Sequence, residues 1–351
     1  MKKILLLGGT GAIGASLVDE FETKGWEIYV TSRQHRSDYG SVKYLRGNAR
    51  ESQFLANTLK NRFNVIVDFM IYKTEDFRSR VISLLDSCDQ YIYLSSARVY
   101  ANSSVPLTEE SPRLLDVCED QNYLATDEYA LSKARQEDIL RRSLRGNWTI
   151  VRPYITFSNI RLQLGVLEKE AWLYRVLKGR TLVFSRDISK CATTLTNGCD
   201  VARAIAKLVD EPAALEQVFH ITGESCIKWG GVFELYKQTL KENGVGVNAK
   251  LIDLDNFMRC HNGRYQIQYD RLYNRVFDNT KIKQFVDVTA FDSIESGLKR
   301  CLNDFLVSPQ FRRLNWSSEG AKDRITHELT SLHEIDDFKS KLRYLKYRFI
   351  S

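Results

Sequence analysis

The sequence predicts a doubly wound parallel α/β sheet with a smaller α/β lobe and a helical tail. Three observations predict it. The apolar run Ile4-Leu5-Leu6-Leu7 enters the glycine cluster Gly8-Gly9-Thr10-Gly11-Ala12-Ile13-Gly14 and leaves it at helical spacing. From there to Tyr154, apolar runs alternate with amphipathic segments, as parallel strands joined by helical crossovers require. Several runs end in polar or charged residues, which gathers chemistry at one edge of the sheet.

The opening reads as strand, tight turn and helix. Its glycines satisfy two overlapping patterns, Gly9-x-Gly11-x-x-Gly14 and Gly8-x-x-Gly11-x-x-Gly14. Both describe a Rossmann-type turn whose backbone approaches a pyrophosphate at a helix N-terminus, so a dinucleotide is the expected guest. Ile13, Leu17 and Phe21 recur at helical spacing, and Gly25 ends the helix. Glu27-Ile28-Tyr29-Val30-Thr31 follows as the second strand, and Ser32-Arg33 closes it. An acid there would take the ribose hydroxyls, whereas a small polar residue beside an Arg leaves room and charge for a 2′-phosphate. NADP(H) is therefore expected, with NAD(H) as the other option.

Val42-Lys43-Tyr44-Leu45 is a short strand, and Gly47-Asn48-Ala49-Arg50 turns the chain before a helical segment from Ser52 to Leu59, with Asn48 in reach of an adenine edge. Val65-Ile66-Val67-Asp68-Phe69-Met70 reads as a strand buried on both faces. Phe77, Val81 and Leu84 mark a helix, and Tyr91-Ile92-Tyr93-Leu94 another buried strand, which runs into Ser95-Ser96-Ala97-Arg98-Val99-Tyr100. After a polar loop with Pro106 and Pro112, Thr126 is read as the N-cap of a helix carrying Tyr129 and Lys133 on one face. Trp148-Thr149-Ile150-Val151 is the next strand, ending in Arg152-Pro153-Tyr154.

Beyond this the alternation loosens. A helix through Trp172 and Leu177, a strand Thr181–Phe184, a helix starting at Asp200 and a last core strand Val218-Phe219-His220-Ile221 are expected. Residues 1–155, with 191–223 returning to them, form the dinucleotide-binding domain. Residues 156–190 and 224–308 form the substrate lobe, and 309–351 the tail. In the tail Ile335, Phe338, Leu342, Leu345 and Phe349 make an apolar stripe among Lys339, Lys341, Arg343, Lys346 and Arg348. Such a helix docks on an anionic membrane or a partner, or packs on its own domain or a dimer mate, and the last is the expectation adopted.

Composition narrows the function classes. The 351 residues are 43% hydrophobic and carry a net charge of +7, with bases mostly interleaved among acids. That balance does not call for nucleic acid and suits an anionic small substrate. The seven cysteines show no Cys-x-x-Cys pair, and the five histidines no metal-ligand spacing. His220, in an apolar strand, reads as a satisfied core residue. No apolar run approaches the ~20 residues of a membrane span. A cytoplasmic homodimer without metal is expected.

Tyr129, Lys133 and a strand-end hydroxyl beside a dinucleotide form a hydride-transfer apparatus. A carbonyl oxygen that gains negative charge needs a proton from a placed acid, the role read for Tyr129. Moving a phenol from about 10 to near ~7 takes about 4 kcal/mol of differential stabilisation, which the Lys133 ammonium helps supply while also holding the ribose. Ser96 would hydrogen-bond the reacting oxygen. Arg161, Arg271 and Arg275 are candidates for a substrate pyrophosphate.

Over residues 1–305 the chain resembles the extended short-chain dehydrogenase/reductases, whose familiar members act on nucleotide-linked sugars. The resemblance rests on Gly8–Gly14, on Leu94–Tyr100, on Tyr129-Ala130-Leu131-Ser132-Lys133, on Val151–Tyr154 and on Phe277-Asp278-Asn279-Thr280-Lys281-Ile282. It implies Ser96, Tyr129 and Lys133 as catalytic residues. It also implies cofactor contacts from Gly8, Thr10, Gly11, Ala12, Ile13, Gly14, Ser32, Arg33, Asn48, Ala49, Phe69, Met70, Lys133 and Pro153. The nucleotide-sugar 4,6-dehydratases of that family carry Thr-Asp-Glu where this chain has Ser96-Ala97-Arg98, which argues against a dehydratase. The expected activity is NADPH-dependent reduction of a 4-keto-6-deoxyhexose nucleotide at C4. A C4 epimerase that retains its cofactor is the alternative within the class, and a non-catalytic NADP-binding or RNA-binding module the alternative outside it.

Overall fold

The computed structural model describes residues 1–261 and 263–350. The helices of eight residues or more are α1 (Ala12–Glu22), α2 (Ser52–Leu59), α3 (Tyr129–Arg141), α4 (Lys169–Leu177), α5 (Gly198–Leu208), α6 (Trp229–Glu242), α7 (Ile294–Val307), α8 (Trp316–Thr326) and α9 (Phe338–Phe349). The main sheet is built from β1 (Lys3–Leu7), β2 (Glu27–Ser32), β3 (Val42–Arg46), β4 (Phe63–Asp68), β5 (Cys88–Leu94), β6 (Trp148–Pro153) and β7 (Gln217–Ile221). The chain divides into two compact units.

The first unit comprises Met1–Thr156, Thr194–Glu224 and Val276–Asp292. Its seven strands lie in the order β7-β6-β5-β4-β1-β2-β3, every pair parallel. The order reverses between β1 and β4, so their C-terminal ends form the crevice where doubly wound sheets take ligands. The apolar runs are explained by cover on both faces: Ile4 and Leu6 join Leu17, Phe21 and Ile205 on one side, while Leu5 and Leu7 join Leu55, Phe77 and Leu140 on the other. Val276–Asp292 lies with this unit, where the Asp278 carbonyl accepts from His220 Nε2 at 2.7 Å and Thr222 Oγ1 donates to Asn279 at 3.0 Å.

The second unit comprises Phe157–Thr193, Ser225–Arg275 and Ser293–Ser351. Leu182–Ser185 pairs in parallel with Ala249–Ile252, and Ala192–Thr193 antiparallel with Ile227–Lys228. Charge pairs inside this unit fasten α8 to α4. The Arg175 guanidinium is buried and donates to Glu319 at 2.9 Å, to Asp323 at 2.7 Å and to Glu328 at 3.0 Å. Asp323 accepts in turn from Tyr344 of α9 at 2.6 Å. The α8–α9 crossing is tight: a Cβ on Gly320 would stand 2.5 Å from the Tyr344 carbonyl oxygen.

Helix α9 packs on its unit with a side other than its apolar stripe. Its buried side chains are Ser340 and Tyr344, while Phe338, Leu342 and Phe349 are exposed. Of the stripe, Ile335 is buried and Leu345 partly so. The stripe as a whole therefore does not pack on its own domain, because the close contact with α8 uses the opposite side of the helix. Two helix starts also move. Asn197 rather than Asp200 caps α5, accepting from the Cys199 N–H at 3.0 Å, and Glu128 rather than Thr126 caps α3.

Candidate active site

The glycine turn is shaped for close approach. Gly8 has φ +71° and donates its N–H to Thr31 Oγ1 at 2.8 Å. A Cβ on Gly14 would lie 2.4 Å from the Gly9 carbonyl oxygen, so the turn and α1 touch backbone to backbone. Gly14→Ala is accordingly expected to destabilise by about 1–3 kcal/mol, read by urea denaturation. Gly11 differs: a Cβ there would meet nothing within 4 Å. It is also the N-cap of α1, with no side-chain cap and no acid in the first turn. The positive end of α1 is thus left without an anion from its own cap or first turn, beside open space at Gly11. These residues fit the pyrophosphate of a dinucleotide.

A crevice of about 300 Å³ opens beside this turn. Of the residues expected at the cofactor, Gly8, Thr10, Arg33, Asn48, Ala49, Phe69 and Met70 line it, together with Thr31, Gly47, Arg50 and Ile71, which sequence reasoning did not assign there. Their adjacency to named positions was the only available signal. Arg50 donates to the Ile71 carbonyl at 2.9 Å. Gly11, Ala12, Ile13 and Gly14 lie at the start of α1, and Ile13 packs partly against the core. Ser32 is buried, its hydroxyl donating to the Gln34 carbonyl at 2.8 Å, and Pro153 ends β6.

Asp68, at the end of β4, holds the backbone of Met70, which lines the crevice. It is fully buried and accepts from the Met70 N–H at 2.8 Å, Tyr91 Oη at 2.8 Å and Tyr72 Oη at 3.1 Å. Burial raises its carboxyl above the usual range despite those donors. The signal for it was a lone carboxylate closing a buried strand.

The two hydroxyls after β5 have different duties. Ser95 Oγ donates to buried Glu137 at 2.5 Å, whereas Ser96 Oγ accepts from the Arg98 N–H at 3.2 Å and caps the turn Ala97–Val99. Arg98 then spans to α3: its guanidinium donates to Glu128 at 2.6 Å and stands 5.1 Å from the Tyr129 ring centroid. Glu128 also accepts from the Ala130 N–H at 2.8 Å and from Tyr123 Oη at 3.2 Å. Asp127 accepts from the Thr74 N–H at 2.9 Å. Glu128 therefore caps α3, while Asp127 ties the residues before it to Thr74.

Tyr129 opens α3 half-buried, and Lys133 lies one turn on, buried. The Lys133 ammonium donates to the Leu94 carbonyl at 2.6 Å and the Met70 carbonyl at 3.4 Å, and lies 5.9 Å from the Tyr129 ring centroid. Tyr129 thus has a cation near its ring from each of two elements. Burial pushes Lys133 down to about 8, with Asp68 and Glu137 holding it from falling further. Glu137, a turn beyond Lys133, is buried and receives Arg152 through Nε at 2.8 Å and a terminal nitrogen at 2.6 Å. His220 is a core residue, fully buried between Tyr100 Oη at 3.3 Å and the Asp278 carbonyl, and burial lowers its pKa.

The three arginines expected at a substrate divide. Arg271 and Arg275 are buried, both paired with Asp270, and Arg271 Nε donates to the Gly165 carbonyl at 2.9 Å. Those contacts hold both side chains in place within the second unit. Arg161 is half-exposed and lies 3.5 Å from Glu168. Among the described residues no group of acids, histidines and cysteines is placed to hold a metal, and the cysteines are free thiols.

Known structures share this fold. Epimerase Mth375 from Methanothermobacter thermautotrophicus superposes with a TM-score of 0.68 at 16% identity, over 87% of this chain and 92% of that one. MoeE5 in complex with UDP-glucose and NAD gives 0.67 at 15% identity, over 88% and 100%. The dTDP-glucose 4,6-dehydratase of Bacillus anthracis in complex with NAD gives 0.65 at 16%, over 88% and 97%. In sequence, the chloroplast stem-loop binding protein of 41 kDa b of Arabidopsis thaliana is 25% identical over 248 residues, 66% of this chain and 61% of that protein's length. A family model described as the NAD dependent epimerase/dehydratase family matches residues 4–222, more than half of the chain, and the chain belongs to that family.

Proposed function

We propose that the chain is an NADP(H)-preferring oxidoreductase acting at C4 of a nucleotide-linked hexose, with reduction of a 4-keto-6-deoxyhexose nucleotide as the favoured reaction. The observation that carries this is Tyr129 and Lys133 on one face of α3, with the Lys133 ammonium bonded to the Met70 carbonyl at the crevice lining and the Leu94 carbonyl at the end of β5. When bound, the nicotinamide supplies or takes a hydride. Tyr129 delivers a proton to the substrate oxygen, Lys133 holds a positive field on the phenol, and Ser96 hydrogen-bonds that oxygen. The complexes of MoeE5 with UDP-glucose and NAD, and of the dehydratase with NAD, support by likeness of fold the substrate class and a nicotinamide dinucleotide, though not the 2′-phosphate. Arg161, Arg271 and Arg275 are the arginines proposed for a substrate phosphate. A homodimer in the cytoplasm completes the proposal.

Arg33 lines the crevice just beyond the end of β2, which supports the preference for a 2′-phosphate. Arg33→Ala is expected to raise KM for NADPH by about ten- to hundredfold and leave that for NADH unchanged. The epimerase reading is favoured by the family name. It predicts no net consumption of NADPH with a 4-keto-6-deoxyhexose nucleotide and a cofactor that co-purifies, and steady NADPH oxidation excludes it. An RNA-binding reading is favoured by the stem-loop binding relative. Stem-loop RNA binding without turnover would establish it in place of the oxidoreductase.

A further inference from the structure

Helix α9 presents to solvent a face that folding does not explain. Phe338, Leu342, Leu345 and Phe349 follow one another at spacings of four, three and four, which places them on one side of the helix. Phe338 is 75% exposed, Leu342 52% and Phe349 61%, and Ile350 just beyond adds 80%. The opposite side, Ser340 and Tyr344, is the one packed in the unit. Lys339 and Lys346 flank the apolar stripe on one side and Lys341 on the other. From Phe338 to Phe349 the helix also carries Arg343 and Arg348, and no acid. The nearest carboxylate in sequence, Asp337, is the N-cap and is engaged by Ser340 and Arg313.

Charge selects the occupant. Two copies of this face would bring basic flanks together at an apolar seam, which like-charge repulsion disfavours. An acidic protein or RNA would match the bases and leave Leu342, Phe349 and Ile350 without apolar cover. An anionic lipid interface meets both demands, since acyl chains take the stripe and headgroups the flanking cations. Among the described residues no helix is long and apolar enough to cross a membrane, so attachment through α9 is peripheral, and one short amphipathic helix holds reversibly. We propose that the outward face of α9 docks on an anionic phospholipid surface, with Lys339, Lys341 and Lys346 beside the apolar stripe meeting the headgroups.

Co-sedimentation of the full chain with vesicles tests this. The protein is expected to pellet with phosphatidylcholine vesicles containing about one-third phosphatidylglycerol, to stay in solution with phosphatidylcholine alone, and to be released by high salt. L342D/F349D is expected to abolish binding, and K339E/K346E to weaken it by roughly thirtyfold or more, with circular dichroism unchanged because all four side chains are exposed. Equal behaviour with both vesicle types, or retained binding in L342D/F349D, overturns the proposal. A solution dimer that L342D/F349D splits overturns it in favour of self-association. RNA binding lost in K339E/K346E and kept in L342D/F349D, with no vesicle binding, overturns it in favour of nucleic acid.

Discussion

Tyr129→Phe is expected to lower kcat by about a thousandfold, within the range of a lost general acid, while cofactor affinity and melting temperature stay near those of the parent protein. The substitution removes one oxygen from a half-buried ring at the first residue of α3 and leaves the crevice lining intact. Cations stand 5.1 and 5.9 Å from the centroid of that ring, from Arg98 and Lys133, and the substitution leaves both in place. The same geometry gives a pH signature. Lys133 sits at about 8, so its positive charge and the field on Tyr129 are lost as pH rises through that value, and kcat is expected to fall there. Fluorescence titration with NADPH separates the loss of chemistry from a loss of binding. Unchanged kcat in the Phe variant contradicts the role of Tyr129.

The largest stability effect is expected at Glu137, a residue the substrate need never touch. Burial alone would raise its carboxyl, and the Arg152 guanidinium and the Ser95 hydroxyl outweigh that and hold it below the usual carboxylate range. The pair is bidentate and both partners are buried, so Glu137→Ala strands the Arg152 cation in the core. Removing one member of such a pair costs about 3–5 kcal/mol, measurable by urea denaturation. Because the folded-state pKa is depressed, the stabilisation is fully present above the unfolded-state value of about 4.3 and is lost as pH falls through the lower folded value. Part of the acid sensitivity of the parent protein is therefore expected to disappear in the Ala variant. An unchanged midpoint contradicts this account of the core.

The architecture of the first unit was legible because its causes are local. Ile4–Leu7 had to be covered on both faces, and Gly8, Gly9 and Gly14 fit positions where a side chain would collide or φ is positive. Tyr129 and Lys133 share a face by helical period alone. What escaped was polar and long-range. Asp68 meets Tyr91 across 23 residues, and Arg152 meets Glu137 across 15, and no periodicity announces a partner chosen by tertiary packing. Arg271 and Arg275 have the chemistry for phosphate, and no spacing announces that both also pair with Asp270. The stripe of α9 was visible as a pattern, while the side of the helix that packs was decided by Gly320, which lets α8 approach Tyr344.

The hydride transfer proposed at Ser96, Tyr129 and Lys133 is read out by isotope transfer. NADPH deuterated at both positions of nicotinamide C4 would be incubated with a 4-keto-6-deoxyhexose nucleotide and the sugar read by NMR. The parent protein is predicted to place one deuterium at sugar C4 for each NADPH oxidised, and Tyr129→Phe to place none at a comparable time. No deuterium in the sugar from the parent protein, or equal labelling by both proteins, would contradict the account.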